Sequence, residues 1–145
     1  MKQRLEVGST PVEGVETVKI APGVVINTKM RVLYIKRVGY NTLLWLIARG
    51  LKNLVVYNRG NTTYLRTTRL LRASFFDEYG LLRVRALPVV LSQVAYVLHK
   101  LSSEGLVARE NGYYALSRGS TLWNIVKNST PEEIANFLWE LTMEG

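Results

Sequence analysis

The side chains with most chemical potential in this chain are cations. Between Glu16 and Asp77 it carries Lys19, Lys29, Arg31, Lys36, Arg37, Arg49, Lys52, Arg59, Arg66, Arg69 and Arg72 without one intervening acid. The tail after Asn128 reverses the balance, with Glu132, Glu133, Glu140 and Glu144 and no base. Polarisation of this kind, on a formal net charge of +8, creates a positive field over one region and attracts polyanions. The chemistry it implies is contact with nucleic-acid phosphates; a solubilising surface of scattered charge is the plainer alternative. Tyr34, Tyr40, Tyr57 and Tyr64 interleave with Lys36, Arg37, Arg59 and Arg66. Aromatic and basic side chains on one sheet face can stack the bases of single strands. Tyrosine is also simply a good strand residue, and no fixed RNA-binding motif accompanies it, so the strand role is the preferred reading.

Catalysis has little to work with. The chain has no cysteine, which removes disulfides, thiolate metal ligands and cysteine nucleophiles together. His99 is the one histidine, so two-histidine metal motifs are impossible, and no visible nucleophile pairs with it. Asp77 and Glu78 are adjacent, and adjacent residues on a helix point about 100° apart rather than at one substrate. No glycine-rich loop matches a phosphate cradle. The expectation is a non-enzyme with no cofactor and no metal. No apolar run approaches the roughly 18 residues of a membrane span, and MKQRLEVGSTPVEG lacks the apolar core of a signal peptide. A soluble, cytoplasmic protein is expected. Scarce cysteine, and glutamine only at Gln3 and Gln93, fits adaptation to heat.

These cations must be positioned by an α+β scaffold. Residues 1–14, with Gly8, Ser9, Thr10, Pro11 and Gly14, read as a flexible lead-in. Residues 15–66 read as β-rich. VETVKI and GVVINT are β-branched runs around an Ala21-Pro22-Gly23 turn, and MRVLYIKRV also favours strand. One buried helix is expected over 41–50, capped by Asn41 and stopped by Gly50. LVVYNRGNTTYLR then suggests a hairpin turning at Asn58–Asn61, with Gly60 at positive φ. From about Thr68 the period turns helical through RLLRASFFDEY to Gly80. LLRVRAL, ended by Pro88, suits helix or strand. In LSQVAYVLHKLSSEG, Leu91, Val94, Ala95, Leu98 and Leu101 form one apolar stripe, joined on a second face by Val89, Val90, Tyr96 and Val97, and Gly105 supplies a left-handed stop. LVARE and YYALS flank Asn111-Gly112, the strongest short hairpin signal, which predicts a type I′ turn.

Taken together, RLLRASFFDEYG, LLRVRAL, LSQVAYVLHKL, SSEGLVARE and YYALS resemble the winged-helix family, the winged helix-turn-helix of compact archaeal and bacterial transcription regulators. The resemblance spans about residues 68–118, within a winged-helix segment over 67–118. It implies a DNA-binding protein whose second helix enters the major groove and whose wing touches backbone or minor groove. Carried over, the groove-facing residues would be Ser92, Gln93, Tyr96, His99 and Lys100, with Gln93 able to read adenine. Lys100, Arg83 and Arg85 would contact phosphates, and Arg109 would be the contact of the wing. Arg66, Arg69 and Arg72 add sequence-independent charge. The helix over 89–104 is more apolar than a DNA-reading face usually is, which points instead to a protein partner or a second copy. The alternative is therefore an adaptor subunit of a larger nucleic-acid complex, binding DNA or RNA without reading sequence.

The tail, residues 119–145, is helical. In STPEEIANFLWELTMEG, Thr130 is an N-cap, Pro131 takes the first position and Glu133 completes a capping box. Ile134, Phe137, Leu138 and Leu141 form its stripe, with Trp139 toward the other side. The resemblance implies a homodimer through this helix; packing on its own core is the equal alternative. Double-stranded DNA is the favoured partner, RNA the second.

Overall fold

The computed structural model describes residues 2–5, 17–21, 24–27, 32–75 and 83–143. It is an α+β protein with strands toward the N-terminus and helices toward the C-terminus. The order is β1 (Lys2–Leu5), β2 (Thr17–Ala21), β3 (Val24–Asn27), β4 (Val32–Ile35), α1 (Tyr40–Tyr57), β5 (Thr62–Leu65), α2 (Thr67–Ala73), β6 (Arg83–Ala86), α3 (Pro88–Ser103), β7 (Ala108–Glu110), β8 (Tyr113–Ser117), α4 (Thr121–Asn128) and α5 (Pro131–Met143). Lys2–Leu5 is a strand where a loose lead-in was expected. The remainder of that lead-in, the Pro22-Gly23 turn, Asp77, Glu78 and the expected stop at Gly80 lie outside the described residues.

Three sheets organise the strands. β2 and β3 form an antiparallel pair; β1, β4 and β6 form a parallel sheet in that order; β5, β8 and β7 form an antiparallel sheet with β8 central. The segment expected as helix or strand over 81–87 is therefore a strand, paired with β4 from Val32↔Arg83 to Ile35↔Ala86. That pairing ties the segment between α2 and α3 to the N-terminal strands, so the N-terminal part is more than an appendage.

Helix α1 is the centre. Leu43, Leu44, Leu46, Ile47, Ala48 and Leu51 are all buried, and α2, α4 and α5 pack around it. It does not stop at Gly50, and the LVVY expected as strand is its last turn. Gly50 serves close approach instead: a Cβ there would overlap the backbone carbonyl of Leu70, so the glycine lets α2 lie against α1. Nor is Asn41 the cap. The helix begins at Tyr40 behind an extended Gly39 with no side-chain cap. Tertiary contacts hold this end, since the Tyr40 hydroxyl bonds Thr142 Oγ1 at 2.6 Å and its ring lies 5.8 Å from that of Trp139.

The turn after α1 leads from helix to strand, so only the second arm of the expected hairpin exists. Gly60 does not take positive φ. Its N–H donates to Asn58 Oδ1 at 2.9 Å, an Asx turn that needs no left-handed residue. Arg118 clamps the same turn, donating from its guanidinium to the carbonyls of Gly60 and Asn58 at 2.9 and 2.7 Å.

Helix α3 starts at Pro88, earlier than the apolar stripe indicated. Proline suits the first helical position, where its missing N–H costs nothing. Its buried side is Val90, Val94, Val97, Leu98 and Leu101. Ala95, expected on the apolar stripe, is exposed, as are Val89 and Tyr96 of the second apolar face. Gly105 does take positive φ. The Leu106 and Gly105 N–H groups close back on the Leu101 and Ser102 carbonyls at 2.9 and 3.0 Å, the Schellman geometry that satisfies end carbonyls. In the following hairpin only Gly112 has positive φ, and Asn111 does not, so the turn is not type I′.

The tail holds two helices. The capping box at α5 is formed: Glu133 N–H donates to Thr130 Oγ1 at 3.2 Å, and Thr130 N–H to Glu133 Oε1 at 2.9 Å. The Thr130 backbone N–H, and after it the Thr130 side chain, hold the Glu133 carboxyl below the usual carboxylate range. Ile134, Ala135, Leu138 and Thr142 are buried, with Phe137 and Leu141 half-buried. Helix α4 had a sequence signal that went unread: Ser120 caps it by accepting from Trp123 N–H at 3.3 Å, and Leu122, Trp123 and Val126 are its buried face.

Candidate nucleic-acid interface

A groove of about 1270 Å³ is lined by Tyr64, Arg66, Thr68, Arg69, Arg72, Arg83, Val84, Arg85 and Tyr113. Strands β5, β6 and β8 and helix α2 supply the lining. In β5, Thr63 and Leu65 point into the core and Tyr64 points out, as strand alternation requires. Arg66 follows in extended backbone as the N-cap of α2. In α2, Leu70, Leu71 and Ala73 face the core, which leaves Thr68, Arg69 and Arg72 on the outer side, spaced as helical neighbours. In β6, Val84 and Ala86 pack inward while Arg83 and Arg85 stand exposed on the other face.

Helix α2 is short, and its position is set by α1. Asn53 Nδ2 donates to the Ala73 carbonyl at 2.8 Å and Arg49 Nε to the Ser74 carbonyl at 2.6 Å. Buried Ser74 returns its hydroxyl to the Leu46 carbonyl at 2.5 Å. These bonds satisfy end carbonyls that would otherwise be orphaned and hold the Arg69–Arg72 face toward the groove. The other wall is aromatic. The Tyr64 and Tyr113 rings meet edge to face, 5.0 Å apart at 88°, and the Arg66 guanidinium lies 5.6 Å from the Tyr113 ring centre, within cation–π range.

No acid lines the groove among the described residues. Among the described residues, Glu110 stands opposite Tyr113 in the β7–β8 pairing. Guanidinium groups gathered this way repel one another across a shared concavity, and a run of phosphates relieves that repulsion while accepting forked hydrogen bonds.

The sequence-expected site residues divide into two sets. Arg66, Arg69, Arg72, Arg83 and Arg85 converge here. Ser92, Gln93, Tyr96, His99 and Lys100 lie on α3 and do not line the groove; Ser92, Tyr96 and His99 are exposed, Gln93 and Lys100 half-buried. Tyr96 leans on α5, its hydroxyl 3.3 Å from the Thr142 carbonyl. Arg109 is exposed on β7, opposite Tyr114, and is also outside the groove. Tyr64 was weighed in sequence but not placed at the site, and Thr68, Val84 and Tyr113 were missed. The available signal for Tyr113 was its alternation with buried Leu116 through Tyr114 and Ala115, which requires knowing which face of β8 is covered.

Comparisons with protein-family models, curated proteins and solved structures return no match to this chain. No helix among the described residues is long and apolar enough to cross a membrane.

Proposed function

We propose that this chain is a non-catalytic nucleic-acid-binding protein that grips phosphates in the arginine groove without reading sequence. It would serve as an adaptor subunit of a larger DNA or RNA complex. The observation that carries the reading is the convergence of Arg66, Arg69 and Arg72, from α2 and its N-cap, with Arg83 and Arg85, from β6, into one concavity lined by no acid among the described residues. We also propose a winged-helix core over residues 40–117. Supporting it is the order α1, β5, α2, α3, β7, β8 with β8 between β5 and β7; strand β6, inserted between α2 and α3 and paired with β4, is a departure from the family pattern.

In this reading α3 is a protein-contact helix. Among its exposed residues Val89, Ser92, Ala95, Tyr96, His99 and Ser103 there is no lysine, arginine or acid. Val89 is 60% exposed and Met143 of the adjoining α5 is 51% exposed, a composition suited to a protein surface or a second copy rather than to phosphate. The competing reading is a transcription regulator with α3 in the major groove of duplex DNA.

Fluorescence anisotropy against random duplex DNA and single-stranded RNA, over a range of salt, tests the choice. The proposal expects tight, steeply salt-dependent binding with little sequence preference. It also expects Arg69→Ala with Arg72→Ala to weaken all sequences alike. A palindromic preference relaxed by Gln93→Ala would install the regulator reading instead. No binding at low salt would remove both.

A further inference from the structure

Phosphate contact alone leaves one part of the groove without a role, its aromatic wall. Tyr64 is 48% exposed, although its strand neighbours Thr63 and Leu65 are buried. A tyrosine present only for its strand preference gains nothing by standing among arginines with its ring in water. Its one aromatic contact is the edge-to-face meeting with Tyr113. In either sense of that T, at least one face of Tyr64 remains clear of Tyr113. The Tyr113 ring, by contrast, is engaged by Arg66 as well, so it acts as a fixed support.

We propose that the groove holds a single strand of nucleic acid, with a base stacked on the open face of Tyr64 and the flanking phosphates on Arg66, Arg69, Arg72, Arg83 and Arg85. The inference rests on the nucleic-acid reading of this groove and adds the form of the ligand. A flexible single strand can follow a concave floor and turn an unpaired base onto an aromatic ring, and every base has a face to stack. A duplex is a stiff cylinder whose bases are closed inside their own stack. It would meet the rims of the groove and offer Tyr64 nothing but backbone. Stacking on Tyr64 is sequence-tolerant, consistent with a lining whose hydrogen-bonding side chains, among the described residues, are arginines, Thr68 and the hydroxyls of Tyr64 and Tyr113.

The test titrates the full chain at fixed salt against labelled mixed-sequence single-stranded RNA and DNA, the corresponding duplexes, and a single strand of abasic sugar-phosphate. Single strands should bind more tightly than either duplex or abasic strand. Tyr64→Ala should lower single-strand affinity about tenfold or more while leaving duplex and abasic binding unchanged. Tyr64→Phe, which keeps the ring, should behave as the unaltered protein, and thermal melting followed by circular dichroism checks that both variants fold. If Tyr64→Ala leaves single-strand binding unchanged while Arg69→Ala with Arg72→Ala weakens it, the groove binds phosphate only; the single-strand inference then falls and the nucleic-acid reading stands. If the unaltered protein binds none of the probes, the nucleic-acid reading falls with it. Comparison of the RNA and DNA arms identifies which sugar the groove prefers.

Discussion

Two outward faces of this molecule invite a partner, and they are chemically opposite. One is the groove between α2, β6 and the β5–β8 sheet, where arginines surround a pair of tyrosines. The other is the side of α3 joined to α5 by the Tyr96–Thr142 bond, where valine, tyrosine, tryptophan and methionine are exposed. A helix that enters a major groove needs polar and basic groups along its outer line; α3 exposes Ser92, His99 and Ser103 but no arginine, and its one lysine, Lys100, is half-buried, whereas α2 exposes Arg69 and Arg72. Under the proposed function the difference would give polyanion contact to the shorter helix and apolar contact to the longer one, the reverse of what element length and motif position would suggest.

The comparison can be broken most directly by charge removal. The combined variant Arg69→Ala, Arg72→Ala, Arg83→Ala, Arg85→Ala should lower nucleic-acid affinity by about a thousandfold at low salt and flatten the salt slope by roughly 0.7–0.9 per lost phosphate contact. Ser92→Ala with His99→Ala should leave both unchanged in the same anisotropy titration. Equal losses from both sets would erase the distinction between the faces.

Next in size is Gly50→Ala. Alanine gains about 1 kcal/mol of helix propensity over glycine, but its Cβ meets the Leu70 backbone carbonyl, which cannot yield as a side chain can. Forcing α1 and α2 apart should cost about 1–3 kcal/mol, so the net effect in urea denaturation should be destabilising, with reduced affinity at the groove. Unchanged stability would mean that α2 is free to shift.

Tyr96→Phe probes the other face. Loss of the bond to the Thr142 carbonyl should lower stability by about 0.5–1.5 kcal/mol at most, since the hydroxyl is only part-buried. Nucleic-acid affinity should not move. The smallest expected effect concerns pH. Glu133 is stabilised as the carboxylate by Thr130, so its contribution is present above its unfolded-state pKa and is lost as pH falls through the lowered folded-state value. Glu133→Gln should reduce the acid sensitivity of the melting temperature slightly without altering binding to the groove. A change in binding would mean that α5 communicates with α2.

Much of the local structure was legible. Gly105 as a left-handed stop, Thr130–Glu133 as a capping box and the strand–turn–strand of 108–117 were readable because each rests on residues a few positions apart. The clustering of Arg66, Arg69 and Arg72 could also be read, as one run of bases. The misreadings came where a residue has two local meanings. Gly50 spells a helix stop and acts as a packing glycine; Pro88 spells an ending and begins α3; LVVY spells strand and closes α1. In each case the deciding partner lies elsewhere in the chain or in the core.

By itself the sequence determined the alternation of β5, the outward placement of Arg69 and Arg72, the Thr130–Glu133 capping box, the Gly105 stop and the sign of the charge, since these follow from dihedral preference, helical period and formal charge. Only the tertiary structure decided that Arg83 and Arg85 join Arg66, Arg69 and Arg72. That meeting depends on β6 pairing with β4 across a wide gap in sequence and on α2 being drawn against Gly50 by the bonds from Arg49 and Asn53. Hydrogen bonds and close contacts between distant segments form only when the whole chain has collapsed around one core, and no local pattern of residues records which segments will meet.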